Sequence, residues 1–306
     1  MNPVLAHVAG SFVPIEVIPI TAAAILYWHR AMVLSWEDRA VPVWRQLCFG
    51  SGLLAIAVAL FSPIGHISEE LVIAHMGEHL LLGDIATLLL VLGLTRSLLQ
   101  PILAIRIFNR LQVLAHPLVA LPLWAVNLFF WHIPALYQDA YGAAPVHALE
   151  HATFIFFGCL MWMPVIGPLP KPEWFTAPWK VGYVVAVRFV GAILGNVLMW
   201  SGTVLYPVYA TGERFWNITP QADQSTAGAL MMVESTFLVL GVLAWVFLDV
   251  ARQGVEKQRL LDLAHERGVD LDERRAQRAV AAGHGALLEK RLTGPGTDIE
   301  REPDRV

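Results

Sequence analysis

Seven times along the chain, a run of about twenty residues passes with scarcely a charge in it: roughly 13–34, 43–62, 70–94, 117–134, 146–167, 181–203 and 225–249. Crossing the ~30 Å hydrocarbon core of a bilayer takes ~20 residues of α-helix. Inside lipid every peptide N–H and C=O must be satisfied within its own segment, which makes these runs helices rather than strands. Only 15% of the residues are charged and 56% are hydrophobic, against roughly 25% charged in an ordinary soluble domain. The expected fold is therefore all-α, a polytopic membrane bundle of seven transmembrane helices over residues 1–250. Lipid is its expected surroundings. A net charge of −4 provides no basic surface for nucleic acid.

The connections predict an orientation, because Lys and Arg concentrate on the cytoplasmic side. Arg30, Arg39 and Arg45 lie between the first and second runs, Arg96, Arg106 and Arg110 between the third and fourth, and Lys171 and Lys180 between the fifth and sixth. The alternate connections contain Arg214 alone. This pattern puts the N-terminus outside and the C-terminus in the cytoplasm. The opening residues lack the basic region of a cleaved signal peptide, so the first run is expected to act as an uncleaved insertion signal. Residues 95–116, apolar with three arginines, suggest an interfacial amphipathic helix. From Ala251 to the end there are eleven basic and eleven acidic residues. This charged cytoplasmic tail is expected to be helical over 252–280 and disordered beyond about 292. Cys48 and Cys159 both fall inside apolar runs, which argues against a disulfide framework.

Ionisable side chains inside membrane-length runs are costly and mark function by default. The third run opens with His75-Met76-Gly77-Glu78-His79, and side chains four apart share one helical face. His147 and His151 of the fifth run are again four apart, with Glu150 between them, and His132 closes the fourth run. The alternating topology carries all five histidines to one layer near the external face. Asp223, Met231, Met232 and Glu234 of the last run approach the same level. Imidazole and thioether are copper ligands, and the carboxylates can ligate or orient the rings. His29, His66 and His116 are expected to be structural, and Met231 and Met232 are by default packing residues. Asp84 and Arg188, deeper in their helices, are expected to pair with each other or with backbone.

The set HMGEHLL (75–81), WHIPALY (131–137), HALEH (147–151), MWMPVIG (161–167) and Asp223-Gln224 with Gly228 and Met231 resembles the multi-span cytochrome c oxidase assembly factor CtaG family, over about residues 12–250. The resemblance implies a role in maturing a haem–copper oxidase through copper delivery to its catalytic subunit. It also implies a cytochrome c oxidase subunit as partner, with a periplasmic copper chaperone as a possible supplier. The family's histidines correspond to His75, His79, His132, His147 and His151. Two other readings of the same residues stand beside this one: a haem-binding membrane protein with axial histidines, and a copper transporter. No nucleophile–base arrangement or nucleotide loop points to an enzyme.

Overall fold

The computed structural model describes residues 14–281 and 284–293, and their regular structure is entirely helical. The long helices are α1 (Pro14–Trp36), α2 (Val43–Phe61), α3 (Val72–Gly93), α4 (Pro117–Trp131), α5 (Ala144–Ile166), α6 (Ala177–Trp200) and α7 (Pro220–Glu266). Six of the seven are long and apolar enough to cross a membrane. The exception is α4, whose 15 residues span only ~22 Å at ~1.5 Å per residue. A seventh crossing is reached only by joining α4 to the preceding Arg106–Ala115 segment, from which it is bent by 78°. Ile133-Pro134 explains the early end of α4, since a residue before proline is driven out of the helical region.

Residues 95–116 do not form one interfacial helix. They make two short helices, Arg96–Leu103 and Arg106–Leu111, and a 3₁₀ turn, Gln112–Ala115. Ile102, Ile105, Ile107 and Phe108 are nonetheless exposed along this stretch, as an interfacial segment requires.

The distribution of side chains is that of a membrane protein. Phe189, Trp200, Phe237 and Leu54 project outward, whereas His75, Glu78, His79, Glu150 and Asp223 are buried. Helix α3 packs between α2 and α5, and α5 also packs against α4. A cluster of Tyr27, Leu34, Phe49, Leu53, Ile56, Leu82 and Leu90 joins the first three helices. Tyr27 stacks on Phe49 at 3.9 Å and donates to the Gly93 carbonyl at 3.0 Å. Arg45 donates to the carbonyls of Leu92 and Leu94 at 2.9 and 2.7 Å, satisfying acceptors that the end of α3 leaves open.

Small residues set the spacing of the helices. A Cβ on Gly158 of α5 would collide with the Gly83 carbonyl of α3, and one on Gly228 of α7 would come within 2.5 Å of the Gly195 carbonyl of α6. Backbones that close require glycine. Gly77, by contrast, has ordinary room.

Two compact units divide at Leu240/Gly241, rather than at the change in composition after residue 250. In the second unit the expected helix over 252–280 is interrupted. Helix α7 ends at Glu266, and α8 (Glu273–Ala281) and α9 (Gly285–Thr293) follow. Gly268 has φ +66°, the Val269 amide donates to the Ala264 carbonyl, and the Gly268 amide donates to that of His265. That pairing with a left-handed glycine is a Schellman stop. Leu260, Ala264, Leu271, Ala276, Leu288 and Leu292 then bury against one another. The expected disorder beyond about 292 concerns residues outside those described.

Candidate metal centre

The sequence His-x-x-Glu-His occurs at the head of α3 (His75, Glu78, His79) and again at the head of α5 (His147, Glu150, His151). In each helix the three side chains share one face, and packing of α3 on α5 turns the two faces together. His79 Nε2 lies 3.8 Å from Glu150 Oε1, and His151 Nε2 lies 3.8 Å from Glu78 Oε1. His75 and His147 lie nearly parallel, with centroids 5.5 Å apart. His79 meets His151 edge to face at 5.4 Å.

His75, Glu78, His79, Glu150 and His151 are 6% exposed or less. Buried polar atoms almost always find hydrogen-bond partners, yet His75 Nε2, His147 Nε2, both nitrogens of His79 and His151, and both oxygens of Glu150 have none. The ligand atoms gather into two overlapping sets, His75/His79/His147/Glu150 and Glu78/His147/His151, each within 4.8 Å. Clustered imidazoles and carboxylates of this kind could hold a transition-metal ion.

Local backbone structure supports this placement. No side chain of its own caps α3. Asp223 of α7 does so instead, its two oxygens accepting from the Val72 and Ile73 amides at 2.7 and 3.0 Å. Immediately after His79, residues Leu81–Ala86 form a π-helical turn, a feature frequent at functional sites. Thr87, which caps the end of this turn, donates its Oγ1 hydroxyl back to the Gly83 carbonyl at 2.5 Å. Trp131 Nε1 donates to Thr153 at 2.8 Å, and Thr153 donates to the Glu150 carbonyl at 2.9 Å, which ties α4 to the ligand-bearing turn of α5.

A roof of tyrosines closes the centre. Tyr137, from the short helix Pro134–Gly142, lies 4.9 Å from the His75 ring. It stacks on Tyr206 at 4.0 Å and shares a 2.9 Å hydrogen bond with Tyr209. Burial pushes the Tyr137 and Tyr209 hydroxyls well above the usual phenol range, so both stay protonated. Tyr206 donates to the His132 carbonyl at 2.9 Å. Nothing in the spacing of the sequence singled out these tyrosines, which reach the site from connecting segments.

The remaining candidates occupy other positions. His132 belongs to neither ligand set; its Nδ1 meets the Leu128 carbonyl at 2.7 Å and its Nε2 lies 3.4 Å from the Met76 sulfur. Met76, His79, His132 and Met231 line a cavity of about 50 Å³ that continues to Asp84 and Arg188. The Met232 sulfur faces Arg188 and Asn196. Glu234 has Asp84 and Arg188 as its charged neighbours and belongs to neither ligand set. Arg188 donates to the Met232 carbonyl and to Thr236, so of its two expected partners the backbone is the one it bonds. His116 caps α4 by accepting from the Leu118 amide at 3.3 Å. Both cysteines are free.

The chain is 24% identical over 247 residues to the uncharacterized protein Mb0105 of Mycobacterium bovis and, to the same extent, to the uncharacterized protein MT0111 of Mycobacterium tuberculosis. Each match covers 75% of this chain and 37% of the relative, so the chain spans little more than a third of their length. No solved structure matches it. Residues 25–253, which include every helix of the histidine centre, match the family model for the cytochrome c oxidase caa3 assembly factor, and the chain belongs to that family, Caa3_CtaG.

Proposed function

We propose that this assembly factor holds copper between α3 and α5 and passes it to the catalytic subunit of a cytochrome c oxidase. The observation that carries the reading is the pair of facing His-x-x-Glu-His turns, buried and with most of their polar atoms lacking hydrogen-bond partners. Imidazole serves copper in both oxidation states. The protein acts as a carrier and not as an enzyme, and the tyrosine roof shields its cargo from bulk water.

The working orientation has the histidine end facing outward. The heads of α3, α5 and α7 and the tail of α4 lie at that end, and Arg214 is the basic residue in its connections. The opposite connections carry the arginine and lysine excess that marks the cytoplasm. On this reading the protein has seven spans in the bacterial inner membrane with its N-terminus outside, and it receives copper from the periplasm, where a soluble copper chaperone is the expected donor. The haem alternative is disfavoured by space. The cavity reaching His79 and His132 is about 50 Å³, whereas pockets for drug-sized ligands run ~300–1,000 Å³.

The test is metal analysis of the purified full chain beside a His75→Ala/His79→Ala variant. Copper in the parent and its loss in a folded variant support the reading. Equal copper in both removes its site.

A further inference from the structure

Beside the histidine centre, two lone pairs face each other in the interior. His132 Nδ1 lies 2.7 Å from the Leu128 carbonyl, an oxygen that can only accept, so in its neutral form the ring carries its proton on Nδ1. Nε2 is then a bare acceptor, and the Met76 sulfur that it meets at 3.4 Å has no hydrogen to give. Both side chains are buried, Met76 at 1% exposed and His132 at 7%. Thioethers pack favourably with their sulfur ~5 Å from an aromatic ring; a sulfur held 3.4 Å from an unprotonated ring nitrogen is not that contact. A cation between the two atoms turns the same geometry into an attraction.

The distances suit one ion. Bonds of ~2.0 Å to nitrogen and ~2.3 Å to sulfur put two donors of a shared ion ~3–4 Å apart. Met231 of α7 lines the same cavity as Met76 and His132, and its volume of about 50 Å³ exceeds the ~10–15 Å³ that one water-sized occupant needs. The Met232 sulfur faces Arg188 and Asn196 instead, so Met231 is the methionine of α7 that supplies a third donor. Thioether ligands select Cu(I), and imidazole is compatible with it. Asp84 lines the cavity as well and can release a proton as a cation enters, while the Arg188 guanidinium is bonded to the Met232 carbonyl and Thr236. His79 both lines this cavity and belongs to the set His75/His79/His147/Glu150, so the two places share a wall.

We propose that Met76, His132 and Met231 form a second metal site, selective for Cu(I) and distinct from the histidine–carboxylate centre, with His79 between the two. Copper as its occupant in the cell rests on the carrier reading above; the soft donor set does not. Its place beside His79 gives Cu(I) a route into or out of the histidine centre.

The experiment is an anaerobic Cu(I) titration of the full chain in detergent, with copper per chain measured by elemental analysis and its neighbours read by copper K-edge X-ray absorption. The chain is labelled with selenomethionine, so that a copper–selenium neighbour identifies methionine and not Cys48 or Cys159. The parent is expected to show selenium and nitrogen neighbours. Met76→Leu/Met231→Leu, a nearly volume-conserving change, is expected to lose one Cu(I) per chain and the whole selenium signal, whereas His75→Ala/His79→Ala keeps that signal. Copper in the parent without selenium neighbours, or a selenium signal unchanged in the methionine variant, overturns the second site while leaving the carrier reading intact. A selenium-ligated ion with copper content unaffected by the histidine change supports the second site and overturns the histidine centre. A parent that binds no Cu(I) overturns both. Should the double methionine variant fail to fold, as judged by helical content and dispersity, Met76→Leu alone decides, with a halved selenium signal expected and an unchanged one overturning the site.

Discussion

Asp223→Ala removes the cap that begins the ligand-bearing helix. Asp223 is 1% exposed and accepts from the Val72 and Ile73 amides at 2.7 and 3.0 Å, just ahead of His75. Losing a capping side chain costs ~0.5–2 kcal/mol, and hydrogen bonds to a charged group contribute ~1.5–3 kcal/mol. With the Val72 amide buried and the Ile73 amide partly so, little water can replace the oxygens, and Asp223→Ala is expected to cost ~2–4 kcal/mol. At ~2–4 °C per kcal/mol for a chain of this size, melting falls by on the order of 10 °C. Asp223→Asn keeps one acceptor oxygen and forfeits the charge, so it should fall roughly halfway. Circular dichroism melting of purified protein in detergent reads both. Under the proposed copper reading, affinity for the metal should fall in the same order, because the loosened turn carries His75. Melting of Asp223→Ala within ~1 °C of the parent would refute the capping argument.

Other consequences are as specific. Gly158→Ala drives a methyl group into the Gly83 carbonyl and should sharply lower the yield of folded protein, while Gly77→Ala, with its nearest neighbour at 3.7 Å, should express normally; equal yields would contradict the packing. Tyr137→Phe strips the Tyr209 hydroxyl of its partner, at an expected cost of ~1–3 kcal/mol, read as a melting shift without loss of helicity. Burial, aided by Asp223 and opposed by Arg214, raises the Glu213 carboxyl above its usual range. A carboxyl raised in the folded state contributes stability that is complete below the ordinary carboxylate range and is lost as pH climbs through the raised value. Glu213→Gln should therefore gain on the parent in melting temperature as buffers go from acidic to mildly alkaline; a constant difference would contradict this.

Much of the site was legible because helical periodicity is a local property. The His75/His79 and His147/His151 pairs could be read from spacing alone, and alternating topology brought them to one end of the bundle. What spacing could not provide was contact across helices. Asp223 looked like a member of the polar layer, but its partners are backbone amides 150 and 151 residues away in sequence. Glu234 sits at a similar register on α7, yet packs toward Asp84 and Arg188. The π turn after His79 changes the helical phase where a uniform 3.6-residue repeat was assumed. His132 fell outside both ligand sets because α4 ends at Trp131, with the histidine capping it. Gly268 was visible in sequence, but its left-handed stop is recognised only from the backbone.

The most direct measurement is the copper-to-haem ratio of the oxidase catalytic subunit purified from cells carrying either the parent chain or its His75→Ala/His79→Ala variant at equal abundance. Copper delivery through His75 and His79 predicts a haem-replete, copper-poor subunit in the variant cells; a subunit with its full copper there would contradict it.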